Sequence, residues 1–133
     1  TAYAEALALL AKSGVEPQHL LDVLPNHAIH SRLADMKVPA MILDDFDPRF
    51  ALKHMFKDVQ IALSMAAEAG IELPSAGAFA GAAMAGMQKG FAERDFSAIA
   101  KLYSFPDSEA RVDEKFRPSA SAKAEDAGPD KSQ

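Results

Sequence analysis

Cysteine is absent from the 133 residues, which excludes a disulfide framework, a thiolate zinc site and a thiol nucleophile. Such a chain suits a reducing compartment, and a cytoplasmic location is expected. Basic blocks are missing as well. Fourteen Lys and Arg stand against nineteen Asp and Glu, for a net charge of -5, and no run of cations is present to neutralise a line of phosphates, so nucleic acid is not an expected partner. The most apolar stretch, "PSAGAFAGAAMAGM", is shorter than the roughly 20 residues that cross a bilayer as a helix; it reads as a packing element, and no membrane partner is expected. No run of alternating β-branched residues is bounded by turn signals, so no strand is expected, and no repeat of solenoid period is found. An initiator Met, a basic leader and a cleavage-type ending are also missing from "TAYAEALALLAKSG". That segment is in helical rhythm from its first residues, and the expectation is a fragment that begins inside a helix.

What is present, 49% hydrophobic and 25% charged residues, is ordinary globular composition at a length that holds one domain. Residues 1–13 read as a helix stopped at Gly14. Pro17 opens a short helix through "QHLLDVL", closed by Pro25. Between Asn26 and Ile42, "HSRLADM" has helical character, while Pro39 is expected to push Val38 into an extended conformation. Asp47 and Pro48 make an N-cap and first-turn pair for a central helix running to Gly70. Pro74 opens another helix ending near Gly90, and Asp95 caps a last one through "FSAIAKLY". The ordered part is therefore expected to be all-α over residues 1–103. Beyond Tyr103 the composition turns to Ser, Ala, Asp, Glu, Lys and Pro, which bury too little surface to offset chain entropy, and an acidic, disordered tail is expected over 104–133. Leu7, Leu10, Leu21, Phe79, Met84 and Phe91 are expected in the core, with the six Met residues as core filling. His27 and His30 have a spacing that fits two ligands on one helix face, but no third ligand is placed to join them; they read as surface or capping residues, and no metal is expected.

The central helix carries an oddity. At 100° per residue Leu52, Met55, Phe56, Val59, Leu63 and Ala66 form one apolar face, but a second strip of Phe50, His54, Asp58, Ile61 and Met65 mixes bulk with ionisable groups. Lys57 and Asp58 are adjacent, and sequence neighbours do not face each other on a helix, so they are not expected to pair. Lys57 follows Lys53 by four residues, a like-charge spacing that costs about 0.2 to 0.5 kcal/mol in an isolated helix. Asp58 has His54 as a local partner one turn earlier. Three readings of the strip stay open: a solvated face, a contact with another helix of the same domain, or a wall facing a second domain or subunit.

In order, "AEA" at 4–6, "GVEP" at 14–17, "DPRFALKHMFKDVQIAL" at 47–63, Gly70, Pro74 and "DFSAIAKL" at 95–102 resemble the C-terminal domain of the β-hydroxyacid dehydrogenases. This is the family of 3-hydroxyisobutyrate dehydrogenase, tartronate semialdehyde reductase and the glyoxylate or succinic semialdehyde reductases. The most specific element is Phe50 followed at the family spacing by Lys57-Asp58 and Ala62. The resemblance implies a multi-helix domain of the 6-phosphogluconate dehydrogenase-like type, working against its own N-terminal Rossmann domain, which holds most of an NAD or NADP cofactor. It further implies that Lys57 reaches the nicotinamide end of the dinucleotide, that Phe50 flanks the nicotinamide and the small hydroxyacid substrate, and that Asp58 supports the active-site hydrogen bonds. A homodimer or homotetramer is implied too, with the small-residue positions Gly77, Gly81 and Gly86 either packed within the domain or at a subunit interface.

The departure from the family pattern matters as much. Its catalytic lysine, and the asparagine one turn after it, fall upstream of Thr1, so no catalytic residue is expected in this chain. A Gly-rich phosphate loop after a strand is also lacking. The chain alone is expected to be inactive and to supply one wall of an active site. The contrasting reading is a non-catalytic helical protein-interaction module that has kept the scaffold.

Overall fold

Every apolar stretch of the sequence becomes a helix in the computed structural model, which describes residues 1–28 and 30–103. The helices are α1 (Ala2–Lys12), α2 (Gln18–Val23), α3 (Arg32–Ile42), α4 (Leu52–Glu68) and α5 (Pro74–Gln88), with short 3₁₀ turns at Leu24–Asn26 and Phe96–Leu102. Among the described residues there is no strand, only an isolated antiparallel bridge between Ala51 and Asp95. The expected tail over 104–133 lies outside the described residues.

Three expectations are corrected. Val38 is not extended: α3 runs through Pro39 to Ile42. Val38, Pro39, Ala40 and Met41 are all buried, and packing of this apolar run outweighs the amide that proline removes. Ser31 caps the helix, its hydroxyl accepting the Ala34 N–H at 3.2 Å. The central helix begins at Leu52 rather than beside Asp47-Pro48, because residues 49–51 are drawn onto the Asp95 segment before the helical turns start. Met84 is exposed, not core, and so are Met36 and Met65, so the methionines are not all core filling, whereas Leu7 and Leu21 are fully buried. The last helix is present but wound as 3₁₀.

Two apolar clusters make up the interior. Ala4, Leu7, Leu21, Leu24, Ala34, Val38, Met41 and Phe46 form the first, with Ala98 and Ala100. Leu52, Ala83 and Ile99 form the second, with Phe56, Phe79 and Met87 around them. The segment Phe96–Leu102 lies between the two, giving Ala98 and Ala100 to one side and Ile99 to the other. Residues 97–100 are consequently buried without exception, which explains why small residues alternate with a single large one there. Tyr103 ties the end of this segment to α1 by donating its hydroxyl to Glu5 at 3.1 Å.

The α4–α5 hairpin stands on the second cluster. At Gly86 an added Cβ would come within 3.0 Å of Leu52 Cδ2, so this glycine serves packing inside the domain, whereas Gly77 and Gly81 meet open space. α5 ends at Gly90 with φ +86, where the Phe91 N–H donates to the Gly86 carbonyl and the Gly90 N–H to that of Met87, a Schellman closure. Gly90→Ala is therefore expected to cost about 1 to 2 kcal/mol, read as a lowered urea midpoint with unchanged helical circular dichroism.

Candidate functional site

The apolar face of α4 lies inward as the periodicity requires. Leu52 and Ala66 are buried, and Met55, Phe56, Val59 and Leu63 are partly so. The second strip lies outward: Phe50, Ile61 and Met65 are 39%, 52% and 64% exposed, and His54 and Asp58 are exposed between them. Among the described residues, then, no other helix of the domain covers the strip. Phe50 precedes the first turn of α4, yet its ring still stacks obliquely on His54, with centroids 6.2 Å apart and planes at 53°. The strip thus runs unbroken from the loop into the helix.

Lys57 and Asp58 do pair, with Nζ 2.6 Å from Oδ1. The expectation that they would not is corrected: backbone neighbours point apart, but the long lysine stem curls round the helix to reach the carboxylate. His54 takes the Phe50 ring instead. Both charged side chains remain exposed, so the pair is a weak, solvent-screened contact that a ligand can open at little cost. An ammonium offers three donors and a carboxylate only acceptors. The exposed pair thus offers both donors and acceptors to solvent, one turn beyond the His54 that carries the Phe50 ring. Among the described residues no group of three His, Cys, Asp or Glu is assembled, and the His30 ring is taken up by Asp35 at 2.8 Å.

The part of the site that sequence reading missed is what holds Phe50. Asp95, only 1% exposed, was read as a helix cap, and it does accept the Ser97 N–H at 3.0 Å and the Ser97 hydroxyl at 2.6 Å. Its other oxygen accepts the Lys37 ammonium at 2.7 Å and the backbone N–H groups of Arg49 and Phe50 at 3.3 and 3.2 Å. Lys37 itself is buried, with its Nζ 4.7 Å from the Phe96 ring centroid. Burial by itself pushes the Asp95 carboxyl up, but the hydrogen bonds from Lys37 and Ser97 outweigh it and hold the group below the ordinary carboxylate value. The Phe50 carbonyl is also engaged, accepting the Phe96 N–H at 2.9 Å. Phe50 is thus an exposed ring on a backbone tied at both its N–H and its carbonyl.

The start of α4 is held in the same way. Its N-cap residue, Ala51, has no capping side chain; instead the N–H groups of Leu52 and Lys53 donate to the carbonyls of Arg94 and Ala92 at 2.8 and 3.1 Å. Two of the helix's free donors are satisfied by a neighbouring loop. A Lys53–Glu93 ion pair at 2.7 Å adds a surface contact between the same two segments. The signal available in the sequence was the "DFS" triplet, whose Asp and Ser fit a local cap. Nothing local pointed to Lys37, 58 residues earlier in the chain.

Fold and site together define a strand-free helical domain that displays a preorganised aromatic and charged face. Comparison with known proteins bears on the fold and the family. Residues 1–103 match the family described as NAD-binding of NADP-dependent 3-hydroxyisobutyrate dehydrogenase. The chain is 34% identical over 104 residues to glyoxylate/succinic semialdehyde reductase 1 of Arabidopsis thaliana, covering 78% of this chain and 36% of that protein. It is 42% identical over 71 residues to the cytokine-like nuclear factor N-PAC of Aedes aegypti, covering 53% of this chain and 12% of that protein. Its fold matches the crystal structure of a 3-hydroxyisobutyrate dehydrogenase from Salmonella typhimurium with a TM-score of 0.71 at 26% identity, over 77% of this chain and 36% of that one. The chain belongs to the 3-hydroxyisobutyrate dehydrogenase family, and it spans about a third of the length of the reductase and the dehydrogenase it matches.

Proposed function

We propose that residues 1–103 are the helical C-terminal domain of an NAD(P)-dependent oxidoreductase that interconverts a small 3-hydroxyacid and its semialdehyde or keto partner, with 104–133 an appended acidic tail. The observation that carries this reading is the exposed strip through Phe50, His54 and Asp58, with Lys57 drawn to its edge by the pair with Asp58, on a domain of this family. The dinucleotide, held mainly by an N-terminal Rossmann domain of the same protein, supplies or accepts the hydride at its nicotinamide ring. Lys57 donates to ribose hydroxyls or the carboxamide of that cofactor. Asp58 steadies the ammonium and the hydrogen bonds around it. Phe50 lies against the nicotinamide and the substrate and keeps water from that side. The family resemblance assigns the proton at the substrate oxygen to a lysine positioned with an asparagine, neither of which has a counterpart matched in residues 1–103.

The names of the relatives, a glyoxylate/succinic semialdehyde reductase and an L-threonate dehydrogenase 31% identical over 102 residues, support a small hydroxy- or oxo-carboxylate as substrate. Exposed Gly77, Gly81 and Met84 on α5 support a homodimer or homotetramer through this domain, and the protein is read as cytoplasmic. The test is made on the intact parent with its upstream region. NADH- and NADPH-dependent reduction of glyoxylate and succinic semialdehyde, and NAD- and NADP-dependent oxidation of 3-hydroxyisobutyrate and threonate, are compared for wild type, Lys57→Ala and Asp58→Ala. Lys57→Ala is expected to lower kcat/KM by about 10²-fold, the size of effect that loss of positioning produces, with the fold intact. Absence of both turnover and dinucleotide binding in the wild type would overturn the reading. It would favour the interaction module, to which the identity with a nuclear factor points.

A further inference from the structure

We infer that Asp95, seated on Lys37, is a positioning residue for the cofactor face: it fixes Phe50 and the start of α4, and through them the reach of Lys57. The inference rests on the proposed reading of Phe50, Asp58 and the Lys57 paired with it, and deepens that reading. One buried carboxylate gathers three otherwise separate pieces of chain. From α3 comes the Lys37 ammonium, from the irregular segment before α4 come the N–H groups of Arg49 and Phe50, and from the closing 3₁₀ turn come the N–H and hydroxyl of Ser97. The Asp95 N–H itself donates to the Phe46 carbonyl at 3.0 Å. Residues 46 to 53 are thereby clipped along residues 92 to 96, and the bridge at Ala51 is part of that clip.

The clip adds long-range ties to local contacts of longer reach, the Asp47 N–H donating to Asp45 Oδ1 at 3.4 Å and Arg49 lying 3.9 Å from the Asp45 carboxylate. Ala51 offers no side-chain cap, Asp47 does not begin the helix, and the Phe50 ring is exposed with His54 against it. An aromatic platform for a flat ring ligand works only if its backbone is fixed before the ligand arrives, because a mobile ring must be ordered at the expense of binding. Asp95 provides that fixation from beneath, with no exposure of its own. A side chain supporting a site in this way shows itself in ligand affinity as well as in stability.

The experiment uses the intact parent protein. Wild type, Lys57→Ala, Asp95→Asn, Asp95→Ala and the double variant Lys37→Met/Asp95→Ala are assayed for kcat and for the KM of NADH or NADPH with succinic semialdehyde as the carbonyl probe. The double variant is included because removing both charges avoids an unpaired buried ammonium, so it is expected to fold even where Asp95→Ala does not. Circular dichroism confirms the helical content of each. The expected result is a dinucleotide KM raised by about 10- to 100-fold in the folded double variant, and most of the wild-type KM recovered in Asp95→Asn, whose amide oxygen can still accept from Arg49 and Phe50. A merely structural role would lower the amount of active enzyme and leave this KM where it is. An unchanged dinucleotide KM in the folded double variant, while Lys57→Ala raises it, would overturn the positioning role alone. If Lys57→Ala leaves the KM unchanged as well, the reading of the strip is at fault and the inference falls with it.

Discussion

Asp95→Ala is expected to destabilise the fold by roughly 3 to 5 kcal/mol, the range for removing one partner of a buried ion pair. The loss has three parts. The Lys37 ammonium, 4% exposed, is left without its counter-charge, and the Phe96 ring beneath it replaces only a fraction of that attraction. The N–H groups of Arg49, Phe50 and Ser97 lose their acceptor. The carboxylate volume becomes a small void between the two apolar clusters. Lys37→Met alone is expected to be similarly costly, because it strands the carboxylate. The double variant is expected to cost much less than the sum, since no buried charge remains, and the coupling is read directly from a double-mutant cycle in urea.

The same pair sets a pH dependence. The folded Asp95 carboxyl titrates below its ordinary value, so as pH falls the unfolded chain binds this proton first. The stabilisation is therefore complete above about pH 4, the ordinary aspartate range, and is lost as pH drops through the depressed folded value. The urea midpoints of wild type and Asp95→Ala are expected to differ widely at pH 7 and by less at pH 3. A gap of the same size at both would show that the carboxylate's charge is not what stabilises the fold.

Leu52→Ala is the second large effect, expected at about 2 to 5 kcal/mol. Leu52 is the first residue of α4 and fully buried, and it joins Ala83 and Ile99 in the smaller cluster. That cluster is what seats the hairpin carrying the strip, so its loss loosens α4 against the 3₁₀ segment. Gly86 gives the prediction a second handle. Gly86→Ala alone brings a methyl within 3.0 Å of Leu52 Cδ2, a tight contact offset by the helix propensity of alanine, worth about 1 kcal/mol over glycine; a change near zero is expected. In the Leu52→Ala background the clash is gone and the methyl partly fills the void. Gly86→Ala should then stabilise, and a favourable coupling in the four-corner cycle checks it. Strict additivity would mean that the two residues do not share that space.

The apolar period along residues 52–66 was readable because burial of one helix face demands it, and the inward residues are those the period names. The stops at Gly14 and Gly90, the opening at Pro74 and the Asp95–Ser97 cap were readable because each is a local matter of backbone angles or of a short side-chain bond. The ordered motifs from Ala4 to Leu102, most specifically Phe50 with Lys57-Asp58 and Ala62, were enough to reach the family. Local rules failed at three places, and at each a distant contact prevailed. Pro39 stays inside α3 because its neighbours are core. Asp47-Pro48 does not open α4 because residues 49–51 are pulled into a bridge with Asp95. Lys57 reaches Asp58 because a flexible stem is not bound by the direction of its Cβ.

By itself, then, the sequence determined the all-helical class, the inward face of α4 and the residues to examine, since these depend on spacing within a turn or two of chain. Only the tertiary structure decided that the second strip is uncovered and that Phe50 stands on a fixed backbone. Both depend on what lies opposite, and Lys37, Phe50 and Asp95 meet only after α3, the loop before α4 and the closing 3₁₀ turn have packed together.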